Sequence, residues 1–166
     1  MKHLVLDTLN AESFPVSALP GVEFRTPWRR FDYAVVQPGE ELDISVDGEY
    51  LEQGYLVLNG QIELVAQGQT APSKRLTATH GVAPAFIIGP LGFDHKLRNV
   101  GPNPARLLHV SVAATTQAID HRIYVGYFTA ELLKWRDAIH GGSGRIATRH
   151  VLRPEDFHST WTFIDQ

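Results

Sequence analysis

Between residues 22 and 113 the chain is written in short apolar or alternating runs, each closed by Gly, Pro or Asn: "FDYAVVQPGEELDISV", "GYLVLNGQIELVAQG", "RLTATHG", "APAFIIGP" and "HKLRNVGPNPARLLHVSVAA". Runs of this kind, rich in β-favouring residues and punctuated at short intervals, read as strands of an antiparallel sandwich or small barrel. Within "VLNGQIEL", Asn59 and Gly60 supply the two positive-φ residues of a type I′ turn, which predicts a hairpin between 56–58 and 62–64. "GPNPA" predicts the next turn, since Pro102 and Pro104 have no N–H to give to a ladder.

After Ala114 the character changes. Thr129 can cap a helix over about 130–140, with Leu132, Leu133, Trp135 and Ile139 on one face and Gly141-Gly142 ending it. "HGGSG" then reads as a flexible link. The tail "VLRPEDFHSTWTFIDQ" resembles the entry to the first strand region, "VEFRTPWRRFDY", with Trp161 and Asp165 spaced as Trp28 and Asp32 are. This predicts an internal repeat that stops where a second barrel would begin. The expected organisation is an N-terminal segment 1–21, a barrel 22–114, a helical extension and linker 115–144, and a strand-like tail 145–166.

Composition narrows the chemistry. At 166 residues one well-filled domain is expected. Fifteen basic against 18 acidic residues leave a net charge of -3 and no basic footprint for nucleic acid. No apolar run approaches the roughly 18 residues needed to span a bilayer, and the first residues build no signal-peptide core, so a cytoplasmic location and no membrane partner are expected. With no cysteine, thiolate nucleophiles, disulfides and Cys-based metal sites are excluded. There is no G-x-G-x-x-G, P-loop, G-x-S-x-G or H-E-x-x-H. His, Asp, Glu, Tyr, Arg and Ser must carry any reaction.

"PLGFDHKLRN" sets Pro90, Gly92, His95 and Asn99 in a P-x-G-x-x-H-x-x-x-N pattern after an apolar run and before a Gly-Pro turn. This resembles the second motif of the cupin superfamily. The frame of the first cupin motif is visible as Gly39, Ser45-Val46-Asp47, Glu52 and Gly60, with Ser45 and Asp47 where the family has two histidines and the glutamate one residue too far from Gly60. The resemblance covers about residues 30–113 and implies an all-β, double-stranded β-helix (a jelly-roll barrel) here followed by the C-terminal helix and tail.

It also implies a site at the barrel mouth, where alternate strand residues aim side chains at one point. Of the family's three imidazoles and one carboxylate, His95 and Glu52 remain. With Asp47 they make a set of two carboxylates and one imidazole for a weakly held divalent ion, and the other expectation is no cofactor at all. Without metal, His95 serves as a base beside a carbonyl, with Glu52, Tyr55 or Tyr33 as partner. Ser45, Asp47, Tyr33 and Arg30 are the expected substrate contacts, and Arg29 with Arg30 can hold an anion. His80 and His109 are further candidates for the same mouth. The strand phase of "LDISVD" leaves two registers open: Asp43, Ser45 and Asp47 face the mouth, or Leu42, Ile44 and Val46 fill the barrel. The functional expectation is a small-molecule enzyme (isomerase, dehydratase or cyclase) with a degenerate or absent metal site, or a non-catalytic ligand-binding or structural module. Either is expected to form a homodimer through the apolar tail.

Overall fold

The structure is a computed structural model; it describes residues 15–17, 27–46, 50–66, 74–78, 85–117, 120–129, 134–137, 145–148, 150–152, 154–159 and 164–165. Strand β1, Val16–Ser17, edges β2, Trp28–Val36, which leads through a turn at Gly39 to β3, Glu41–Ile44. There follow β4, Leu51–Ala66; β5, Lys74–Ala78; β6, Ala85–Ile88; β7, His95–Asn99; β8, Ala105–Ala113; and β9, Tyr124–Tyr127. All pair antiparallel. One wall runs β1-β2-β8-β4-β6-β9, and the other is built from β3, β7, β4 and β5.

Strand β4 belongs to both walls. Residues 51–59 pair with β8, 54–57 with β6, and residues 60–66 with β5 and β7. The strand is continuous through Asn59-Gly60, so the expected hairpin at this point does not form. Instead the ladder to β8 slips between Val57 and Asn59 and Gly60 takes φ +98°, a bulge that turns the strand from one sheet into the next. The positive-φ chemistry that suits Asn-Gly to a turn is used here for a corner.

Between the walls lies an apolar core that includes Val57, Leu64, Ile87, Leu97 and Leu107, all fully buried. Burying each such side chain contributes about 1.5–3 kcal/mol. Of the two phases open for "LDISVD", the aliphatic one is inside: Ile44 joins this core and Leu42 packs on it, while Asp43 is exposed and pairs with Lys96 at 3.2 Å. Burial of two aliphatics outweighs any use for Ser45 at the mouth. Glu41 bridges Lys96 and Arg98 across the same β3–β7 ladder.

Asn99 locks the far end of β7. Its amide donates to the carbonyls of Val36 and Asn103, both at 2.8 Å, and its Oδ1 accepts from the N–H of Gly101. The turn read in "GPNPA" is thereby tied to the end of β2.

The expected helix over 130–140 is corrected at 134–137; the rest of that span lies outside the described residues. No helix longer than a 3₁₀ turn occurs among the described residues, and Lys134–Asp137 is strand β10, paired in register with β11, Arg145–Thr148. Lys134 lies opposite Thr148 and Trp135 opposite Ala147, so the segment has the strand period of two, not the helical period read from its apolar residues. Strand β12, His150–Leu152, pairs with β13, Ile164–Asp165, around the 3₁₀ turn Pro154–Asp156. Trp161, on which the repeat was read, lies outside the described residues. No helix among those residues is long and apolar enough to cross a membrane.

Candidate functional site

In an antiparallel ladder, residues directly opposite each other share a face. Tyr55 lies opposite His109 and Gln53 opposite Ser111 on the β4–β8 ladder, while Asp32 lies opposite His109 and Arg30 opposite Ser111 on β2–β8. Six polar side chains thus share the face on which Ala34, Val57 and Leu107 enter the core. His95 begins β7 on the facing wall and meets Tyr55 across the interior.

The tyrosine and His95 are both 0% exposed, and Tyr55 Oη lies 2.6 Å from His95 Nε2. The direction of this bond follows from the other side of the ring. His95 Nδ1 lies 3.0 Å from the Phe93 carbonyl, which can only accept, so Nδ1 carries the hydrogen and Nε2 is the lone pair. Tyr55 therefore donates. Burial lowers the basicity of His95 against the opposing pull of the Phe93 carbonyl and Asp94, and burial raises the Tyr55 hydroxyl well above its ordinary value. Both effects favour a neutral phenol beside a neutral imidazole. Gly89 completes the fit, because a Cβ there would stand 2.9 Å from His95 Nε2.

His109 stacks on Tyr55, ring centroids 4.8 Å apart. Its Nε2 lies 2.7 Å from Gln53 Oε1, an acceptor, so this ring also has its hydrogen on the bonded nitrogen and a lone pair on the other. Burial, helped by the charge of Arg30 and by His95, takes its pKa down to about 3. His109 Nδ1 and Ser111 Oγ are buried without a hydrogen-bond partner.

Glu52 is placed elsewhere. It stands next to Gln53 in β4, so the alternation of the strand points it to the opposite face. The extra residue between Glu52 and Gly60 thus puts Gln53, not the glutamate, on the interior face. Glu52 is 1% exposed, and its carboxylate accepts the backbone N–H of His158 at 2.8 Å and of Ser159 at 3.1 Å. Around it the tail is clasped further. Thr115 donates both its N–H and its hydroxyl to the His158 carbonyl, His158 Nε2 lies 2.6 Å from Asp120 Oδ2, and Phe157 packs with Phe86, Ile88 and Phe128. Burial opposes the charge on Asp120, yet hydrogen bonds from Arg122 and His158 hold its pKa below the ordinary carboxylate range. Glu52→Gln sets an amide NH₂ against one of the two N–H donors, and urea unfolding should register a loss of about 2 kcal/mol.

The remaining candidates divide as follows. Tyr33 is buried on the outer face of β2 with Phe31, Val35 and Leu108, one residue out of phase with the interior, and the structure does not bring it to His95. Ser45 follows β3 and is exposed; Asp47 and His80 lie outside the described residues. His121 is exposed, with its ring against Phe93. Among the described residues no three His, Asp or Glu side chains converge on a point that could hold a metal ion. Glu52 faces away and Tyr55 occupies the His95 lone pair, so these residues do not fit the divalent ion that the resemblance implies. Gln53 and Ser111 were missed by sequence reasoning, and only strand parity counted from Tyr55 could have found them.

No protein-family model matches the chain, and no curated protein does. Solved structures do. A Pseudomonas aeruginosa protein described as glyoxylate induced is 17% identical with a TM-score of 0.56, over 86% of this chain and 49% of that one. YhaK from Escherichia coli is 14% identical with a TM-score of 0.51, over 76% of this chain and 56% of that one. A Cupin 2 conserved barrel domain protein from Salinispora arenicola is 18% identical with a TM-score of 0.47, over 69% and 88%. This chain thus spans about half the length of the first two. Two antiparallel walls sharing β4, closed over His95, give the chain a cupin-type double-stranded β-helix fold, shared with the first two of these structures.

Proposed function

We propose that this barrel is a metal-independent enzyme that moves a proton on a small carbonyl compound, with Tyr55 and His95 as its acid–base couple. The observation that carries the reading is the 2.6 Å bond from the tyrosine hydroxyl to His95 Nε2, its direction set by the Phe93 carbonyl. In such a couple the Tyr55 hydroxyl turns from Nε2 to the substrate, the lone pair so freed takes a proton from the carbon next to the carbonyl, and the phenol gives its own proton to the substrate. The pair is left as imidazolium and phenolate. A proton passing back along the same hydrogen bond restores both neutral forms, so no outside acid or base is consumed. Positioning, not extreme basicity, is what the interior supplies.

The test is incorporation of solvent deuterium into a panel of small ketones and 2-oxo acids, followed by proton NMR. Wild type should incorporate the label, and Tyr55→Phe, which keeps the ring stacked on His109, should slow it on the order of a hundredfold. Incorporation unchanged in Tyr55→Phe overturns the couple. A second reading, a non-catalytic module, draws on the complete burial of Tyr55 and His95; it is favoured if the whole panel stays unlabelled.

A further inference from the structure

His109 Nδ1 and Ser111 Oγ are two buried polar atoms without partners, two residues apart on one face of β8. Leaving such atoms unpaired costs about as much as a lost hydrogen bond. Their neighbours do not relieve it. Gln53 Oε1 is already engaged at His109 Nε2, the Tyr55 hydroxyl is committed to His95, and Arg30 and Asp32, opposite them on β2, meet each other.

The chemistry each atom asks for is definite. His109 is neutral, and Nδ1, with its hydrogen on the other nitrogen, can only accept. Ser111 can donate and accept. Arg30 brings a positive charge to the same end of the ladder: it is opposite Ser111, and its field reaches both His109 and Tyr55. It meets Asp32 through Nε at a loose 3.6 Å, with its side chain 54% exposed. Among the described residues that contact leaves the Nη end of the guanidinium for a second carboxylate. Asp32 is the one acidic group on this face of the ladder, and an anion must share Arg30 with it.

Resting on the acid–base reading of this same interior, we infer that the β2–β8 face binds a small 2-hydroxycarboxylate. Its carboxylate lies on Arg30 and its hydroxyl between His109 Nδ1 and Ser111 Oγ. The hydroxyl donates to the imidazole and accepts from the serine, which pairs both orphaned atoms at once. His109 and Ser111 are each 1% exposed, so only an acid small enough to reach them from the exposed Arg30 end of the ladder fits. A carboxylate adjacent to a hydroxyl spans neighbouring cross-strand positions, which lie about 5 Å apart.

Glycolate and acetate differ by that one hydroxyl and serve as probes. Calorimetric titration of the full chain should give glycolate an affinity at least about tenfold above acetate, the effect of one well-made hydrogen bond. The ¹⁵N resonance of His109 Nδ1 should move on adding glycolate and stay in place with acetate. Ser111→Ala should remove most of the preference for glycolate over acetate, and Arg30→Gln should weaken both acids. Equal binding of the two acids overturns the inference. So does an unmoved His109 resonance, or a crystal structure grown with glycolate in which an ordered water only is found between the two atoms. Binding without deuterium incorporation in any substrate sustains the site and removes the proton-transfer reading. Incorporation with no glycolate preference does the reverse.

Discussion

Gly60→Ala should lower the stability of the barrel by about 3 kcal/mol, read as a fall in the urea midpoint. Two costs add. Holding a residue with a Cβ at φ +98° costs about 1–2 kcal/mol. The new methyl would also stand 2.6 Å from both Cα and Cβ of Ala105, and relieving such an overlap in a packed interior costs about 1–3 kcal/mol more. Gly39 separates the two. It has φ +80° with nothing within 4 Å of the position a Cβ would take, so Gly39→Ala should cost only about 1 kcal/mol. Equal losses in the two variants would show that the corner of β4 is not tightly packed on Ala105.

Acid should unfold the protein through its interior histidines. His109 has a folded pKa of about 3 against an ordinary 6.5, so as pH falls the unfolded chain takes up a proton before the folded one does. Its contribution is fully present above the unfolded value and is lost as pH drops from there toward the folded one. Between about pH 7.5 and pH 4 this amounts to about 3 kcal/mol. His95, also lowered by burial, adds to the loss in the same direction. Carboxylates titrate toward the acid end of this window as well, so the comparison is with His109→Gln, whose amide does not titrate. The urea midpoint of that variant should fall less steeply with pH than that of wild type. Parallel slopes would show that His109 does not titrate as a buried group.

The fold was legible because strand rhythm and turn residues are local. "FDYAVV", "AFII" and "ARLLHVSVA" needed only their own alternation and length to read as β2, β6 and β8. Asn59-Gly60 was misread for a physical reason: positive φ is required equally by a hairpin turn and by a bulge, and only the pairing partners of β4 distinguish them. Around Trp135 the spacing of apolar residues in the sequence suited a helical stripe, and the partner strand Arg145–Thr148 that makes 134–137 a strand lies beyond the window in which periodicity is judged. Of the candidate residues, His95 and Tyr55 are brought into contact in the interior. Glu52 was taken for a ligand because a motif counts residues along the chain, whereas a barrel sorts them by parity; a shift of one residue exchanged its face for that of Gln53. The role of His158 depends on a partner so distant in sequence that no local pattern records it.

That distance has a kinetic side. The bond from the His158 N–H to Glu52 joins residues 106 positions apart. Closing so long a loop is costly until the intervening strands have already shortened it. The clasp should therefore form after both walls, leaving Phe86 and Ile88 uncovered in the last partly folded species. The outer apolar face of β6 is then the surface on which two half-finished molecules would meet, and refolding yield should fall with protein concentration more steeply in Glu52→Gln than in wild type.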